Sequence, residues 1–199
     1  MRKVVFQMMT SIDGFFEGPN SEIDWHNVDD EFNKYAIDFL NTLDTLVFGR
    51  KTYELMASYW PTENAAKDDS IIAEKMNSLS KIVYSTTLEK IEWNKTKLIK
   101  ANIADEIARQ KLRQCRDLAI FGSSDLALAL IPQGLIDEYR IIVNPVFLGK
   151  GKTLLSGLDT RLKLKLIFTK TFRSGNVLLC YVPVDNAFSK STFLGEMIN

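Results

Sequence analysis

The sequence predicts an α/β domain: a mixed sheet flanked by helices in three layers, with an antiparallel hairpin at its C-terminal side. Three observations carry this. Short apolar runs alternate with segments of helical period from residue 4 to residue 146, the order expected of βαβ units. Between Leu162 and Phe168 the period falls to two, with Leu162, Leu164, Leu166 and Phe168 separated by Arg161, Lys163 and Lys165, as in a half-buried strand. The turn Arg173-Ser174-Gly175-Asn176 then leads into a last apolar run over 177–184, which completes a hairpin.

The elements follow in order. Residues 4–9 form a strand that ends at the turn Ser11-Ile12-Asp13-Gly14. Val28, Phe32, Tyr35, Ala36, Phe39, Leu40 and Leu43 recur at helical spacing and place an amphipathic helix over 29–42. A buried strand at 45–48 stops on Gly49 and a helix runs over 51–58; a further strand lies at 81–85. Ile103, Ile107 and Leu112 mark a helix with a polar outer face. Residues 118–121 form a strand, Gly122-Ser123-Ser124 a turn, 126–131 a helical run and 138–146 a strand. In a sheet of this kind ligands gather at the carboxyl ends of the parallel strands. Residues 1–185 make one domain, and 186–199 a tail that docks through Phe188, Phe193 and Leu194.

Composition narrows the function. Of 199 residues, 46% are hydrophobic and 25% charged, the balance of a globular chain. Lys and Arg number 25 and Asp and Glu 25, so the basic excess of a nucleic-acid binder is missing and no nucleic-acid partner is expected. No apolar run approaches the length of a membrane span, and Val4-Val5-Phe6 is too short a core for a signal peptide, so a cytoplasmic protein is expected. Cys115 and Cys180 lack CxxC spacing, the first in a helix-like and the second in a strand-like stretch. His26 is the only histidine, at a surface or a pocket rim, and no metal site is expected.

Three segments are candidates for chemistry. In Gly49-Arg50-Lys51-Thr52-Tyr53-Glu54 a strand ends on Gly and a helix opens with two cations. Orphan N–H groups, the positive end of the helix dipole and both side chains converge there, which suits a phosphate. Phe121-Gly122-Ser123-Ser124-Asp125-Leu126 repeats the strand-to-helix plan, either as a close approach to a ligand or as an ordinary turn with a Ser cap. Leu148-Gly149-Lys150-Gly151-Lys152 reads as a flexible Gly-Lys loop more readily than as an anion site. The acidic run Asp29-Asp30-Glu31 supplies a general acid or, more simply, caps the helix that follows. Phe15, Phe16, Trp25, Phe32 and Tyr35 crowd the first loop and helix, as pocket walls or as core.

In their order these motifs resemble the dihydrofolate reductase fold family, most closely the branch that holds the reductase domain of bacterial riboflavin biosynthesis. The resemblance rests on Ser11 to Gly14, Gly49 to Glu54, Ser85-Thr86, Phe121-Gly122-Ser123, Gly134 to Glu138, the Pro145 to Gly151 loop and the terminal hairpin. It implies a reductase that uses NADPH and passes hydride to a small pyrimidine- or pterin-like heterocycle; a homologue that binds nucleotide without turnover is the alternative. It also implies a homodimer. Arg50 with Ser85 and Thr86 would hold the 2′-phosphate, and Lys51 and Thr52 the pyrophosphate. Gly49 and Gly122, Ser123, Ser124 and Leu126 would follow the cofactor backbone. Phe16, Trp25, Phe32 and Met56 would face the substrate, with Asp13 and Glu31 as the catalytic carboxylates. The segment between Asp13 and Asp29 would close over the nicotinamide as a lid. Three positions depart from the family: Asp125 stands where some members carry a cation, Ser123 follows Gly122 where many relatives have a second Gly, and the position of the assisting acid falls near Asn33.

Overall fold

Six parallel strands dominate the protein, and their sequences show why. The computed structural model describes residues 2–184. Strand β1 (Val4–Thr10) lies between β6 (Asp117–Phe121) and β7 (Glu138–Val143), and β6 pairs on its other side with β3 (Leu43–Gly49). Outside β3 lie β4 (Ser80–Tyr84) and β5 (Thr96–Ile99), also parallel. The hairpin of β9 (Leu164–Thr171) and β10 (Val177–Pro183) joins antiparallel to β7 and completes an eight-stranded sheet. A small second sheet pairs β2 (Phe15–Glu17) with β8 (Lys152–Thr153).

Central strands read as continuous apolar runs because both of their faces are covered. Val4, Phe6, Leu118 and Ile120 point to one face, where they meet α5 (Ile103–Lys111) and α6 (Ser124–Leu130) through Ile107 and Leu130. Val5, Leu46, Phe48 and Ala119 point to the other face. There they meet Phe39 and Leu40 of α1 (Asp30–Asn41), Tyr53 of α2 (Arg50–Tyr59) and Met76 of α4 (Ser70–Ser78). The three layers expected of the sequence are therefore present.

Two expectations need correction, and three elements are added to those expected. The β9 pattern predicts a half-buried strand, yet Leu166, Ile167 and Phe168 are all exposed. β9 is the outermost strand, and a register shift opposite Cys180 and Tyr181 breaks its two-residue alternation. Residues 59–80 and 96–99 carry α3 (Glu63–Asp68), α4 and β5, which apolar periodicity leaves unmarked. The first two are short helices whose signal is their caps: Thr62 accepts from Ala65 N and Asp69 from Ile72 N. Cys115 is exposed in the turns after α5, not within a helix. The docking expected of Phe188, Phe193 and Leu194 lies outside the described residues. Among the described residues no helix is long and apolar enough to cross a membrane.

A buried carboxylate anchors α5. Glu106 accepts from Arg109 Nη2 (2.8 Å), Gln110 Nε2 (2.8 Å) and Lys97 Nζ (3.0 Å), and these bonds hold its pKa down to about 2. Because the folded value lies below the unfolded one, this stabilisation is present above the ordinary carboxyl range and is lost as pH falls through the folded value. Glu106→Gln should cost about 2–3 kcal/mol near neutral pH once screening of the exposed partners is allowed for. Urea midpoints of the two proteins should converge as pH drops from about 4.5 toward about 2. A constant gap would show that Glu106 acts through packing alone.

Candidate active site

Adjacent parallel strands β3 and β6 both end on a turn into a helix, so two helix starts meet at one sheet edge. A hydroxyl joins them. Ser123 Oγ accepts from Gly49 N (2.9 Å) and lies within hydrogen-bond reach of Thr52 Oγ1 (3.0 Å) and Phe121 O (3.2 Å). Ser123 is therefore spent on this junction and does not cap α6 with its side chain. Gly122 and Ser123 both take the left-handed conformation, φ +58° and +59°. A Cβ on Gly122 would also stand 3.2 Å from the Thr52 side chain, so the turn needs glycine there.

Across this junction, α2 opens without a side-chain cap and without an acidic residue in its first turn, while Arg50 and Lys51 stand there. Its first N–H groups and two cations make a donor set of the kind that suits an anion. Arg50 is partly exposed and pairs with Glu54 (3.4 Å). Because β4 pairs with β3, Ser85 and Thr86 follow β4 at the same sheet edge. The Ser85 hydroxyl is already taken by the amides of Thr87 and Leu88 (3.2 and 2.9 Å).

A cavity of about 560 Å³ opens beside the junction, lined by Lys51, Thr52, Gly122 and Ser123 at one end. Phe16, Phe32 and Met56 line it as well. Trp25 does not: its Nε1 donates to Glu22 O (3.2 Å), and its ring meets His26 edge-on. His26 forms the wall in its place, with Nε2 buried and unpartnered and burial pushing its pKa down to about 4. The Ser124 hydroxyl is engaged, since it accepts from Leu155 N (3.0 Å). Leu126 is 4% exposed and packs in the core under α6.

Both expected catalytic carboxylates are used as ties. Asp13 accepts from Ser11 Oγ (2.6 Å), Leu148 N (3.1 Å) and Gly149 N (2.7 Å), and these bonds hold its pKa below the usual value. The Gly-Lys loop is thus fastened to the first turn. Gly151 lets it approach β2 closely, since a Cβ there would stand 2.2 Å from Glu17 O. Lys152 of this loop pairs with Asp125 (3.1 Å). Glu31 accepts from Arg173 N (3.0 Å) and pairs with Lys170 (3.4 Å), which together lower its pKa. It serves the hairpin while its neighbour Asp29 caps α1 through Phe32 N (2.7 Å), so the acidic run is a cap and a clamp.

Gln7, Trp60, Ile72 and Met76 also line the cavity without being marked by the sequence, and so does Asn33, where the position of the assisting acid falls. The segment expected to act as a lid is pinned at both ends. Phe15 and Glu17 pair with β8, while Asn27 N donates to Asn144 Oδ1 (2.9 Å) and Asn176 Nδ2 to Asn27 O (2.5 Å). Only the stretch between them, about residues 18–25, is free of such ties to the rest of the fold among the described residues.

Comparison with known proteins agrees with this architecture. The RibD C-terminal domain family matches residues 2–178. The uncharacterized protein YyaP of Bacillus subtilis (strain 168) is 34% identical over 180 residues, which cover 90% of this chain and 94% of that one. A crystal structure from Shewanella sp. PV-4, named for riboflavin biosynthesis, superposes with a TM-score of 0.70 at 23% identity, over 93% of this chain and 100% of that one. Dihydrofolate reductase from Enterococcus faecalis, solved with NADP(H), gives 0.62 at 17% identity over 92% and 97% of the chains. At these identities the two structures show a shared fold.

The Asp13 contacts make a separable prediction. Asp13→Asn should speed amide exchange at Leu148 and Gly149 severalfold while leaving the pH profile of any turnover unmoved, since a weakened tie is all that changes. A shifted pH profile with unaltered exchange would make Asp13 a proton-transfer group instead.

Proposed function

The chain belongs to the RibD C-terminal domain family, a reductase family, and on that premise we propose that it is an NADPH-dependent reductase of a small pyrimidine- or pterin-like heterocycle. The observation that carries the reading is the junction of the two helix starts at Ser123, with an uncapped, doubly cationic α2 on one side and an aromatic-lined cavity on the other. The donor set fits a dinucleotide phosphate group: main-chain N–H groups of α2, Lys51 at the diphosphate and Arg50 at the 2′-phosphate. When bound, NADPH supplies the hydride.

The chain's own residues then position and seclude. Gly122, lacking a side chain, lets the cofactor backbone approach the β6 end. Phe16, Phe32 and Met56 hold a flat ring against the junction, and the loop over residues 18–25 keeps water out. Asp13 and Glu31 are engaged elsewhere, and neutral His26 is a poor acid at pH 7, so the proton comes from water. The same engagement favours a second reading, a nucleotide-binding homologue without turnover. Loss of NADPH absorbance on mixing with pyrimidine and pterin substrates decides between them; tight NADPH binding with no loss on any of them would favour the second.

Arg50→Ala should weaken NADPH by about 1.5–3 kcal/mol and leave NADH nearly unchanged, because the charge-assisted contact is made to a phosphate that only NADPH carries. Equal losses for both cofactors would show that Arg50 does not read the 2′-phosphate. The lid makes a second prediction. NADPH with a substrate analogue should slow amide exchange in residues 18–25, whereas the pinned segments on either side should change little, and NADPH alone should protect mainly residues 49–53 and 122–126. Exchange in 18–25 that is equally fast with and without ligands would remove the lid from this reading.

A further inference from the structure

Resting on the reductase reading, we infer that the substrate is a neutral, unphosphorylated heterocycle with an apolar substituent. The lining of the cavity divides by chemistry. Its inner wall, between α1, α2 and α4, is made by Leu40, Met56, Trp60, Ile72 and Met76, with Leu55 at its solvent-facing rim. The one polar hydrogen on that wall, Trp60 Nε1–H, is directed at Met56 Sδ (3.0 Å). A substituent entering there meets apolar side chains whose one polar hydrogen is already engaged.

Toward β1 and the start of α1, the polar lining groups are Gln7, His26 and Asn33. Each can hydrogen-bond a ring, and the two amides carry no charge. Gln7 Oε1 accepts from Tyr35 OH (2.7 Å), which orients the amide and leaves its NH₂, unpartnered among the described residues, as a donor for a ring carbonyl or ring nitrogen. His26 Nε2 is buried without a partner, and burial keeps the imidazole neutral at pH 7. This end therefore suits an uncharged ring that both donates and accepts.

Among the described residues the charged lining groups are Glu17, Lys51 and Glu54. Lys51 stands at the helix start assigned to the cofactor phosphates, and Glu54 pairs with Arg50. A phosphorylated substrate would bring a dianion to a cavity whose lone lining cation is already committed and whose remaining charges are carboxylates. Charge left unpaired in such a site is strongly disfavoured. The cavity volume, about 560 Å³, lies in the range of small-molecule sites.

Two compounds test this: 6-(butylamino)uracil and its analogue with a phosphate at the chain end, each titrated calorimetrically into protein already saturated with NADP⁺. The neutral compound should bind at least about tenfold more tightly. Leu55→Lys places a cation at the rim of that wall, at a site that is 47% exposed and so tolerates it. It should strengthen binding of the phosphorylated compound about tenfold relative to the neutral one. Equal or tighter binding of the phosphorylated compound to the unaltered protein overturns the inference, as does binding of neither compound while NADP⁺ binds. In both cases the reductase reading stands. Failure of NADP⁺ itself to bind would overturn that reading and this inference with it.

Discussion

The Ser123 hydroxyl is the point on which the site depends. Parallel strands deliver two helix starts to one edge of the sheet, but nothing in strand pairing fixes how those helices lie relative to each other. Ser123 Oγ does so by taking the Gly49 amide and meeting Thr52 on α2. The left-handed backbone at Ser123 costs about 1 kcal/mol for a residue with a side chain, and these contacts offset it. Glycine at this position would remove the strain and the tie together. The main-chain donors of α2 and the bare backbone of Gly122 therefore face the same volume because one side chain holds both turns.

A second tier of ties holds the loops that surround this volume. Asp13 fastens the first turn to Leu148 and Gly149, Asn144 holds Asn27, and Asp29 and Glu31 clamp the Arg173–Ser174 turn against α1. Carboxylates suit the task because an ionised carboxyl accepts several N–H bonds and has no donor to leave unsatisfied. The bonds that make Asp13 and Glu31 good clamps also lower their pKa and make them poor acids. Their structural use and a role as proton donor are in physical opposition.

Legibility in the sequence follows the range of the interaction. Strands β1, β3, β4 and β6 are legible because burial on both faces makes each a short unbroken apolar run. Arg50, Lys51 and Gly122 are legible because a helix start and a left-handed turn are local matters. The partners of Asp13 and Glu31 lie far along the chain, and no local pattern distinguishes a carboxylate that clamps from one that reacts. Trp25 turns away from the cavity that His26 lines for a similar reason: a loop without periodicity does not say which neighbour faces inward. β9 misled through its edge position, where a strand keeps an alternating sequence without a second layer to bury it.

The inner wall of the cavity leaves no separate mark in the sequence, and its chemistry explains why. Leu40, Ile72 and Met76 belong to the core beneath α1 and α4 and also line the cavity. A helical stripe such as Phe32, Ala36, Phe39 and Leu40 has one signature whether it meets another side chain or an empty space. What separates pocket from core is the side chain that fails to arrive from the opposite element, and that is a property of packing among three helices. Apolar walls left without partners forgo dispersion contacts that a close-packed interior would make. A ligand that fills the space restores them, so its binding is favourable for the same reason that core packing is, and it stabilises the folded chain by mass action. Core packing and ligand binding thus draw on the same apolar surface.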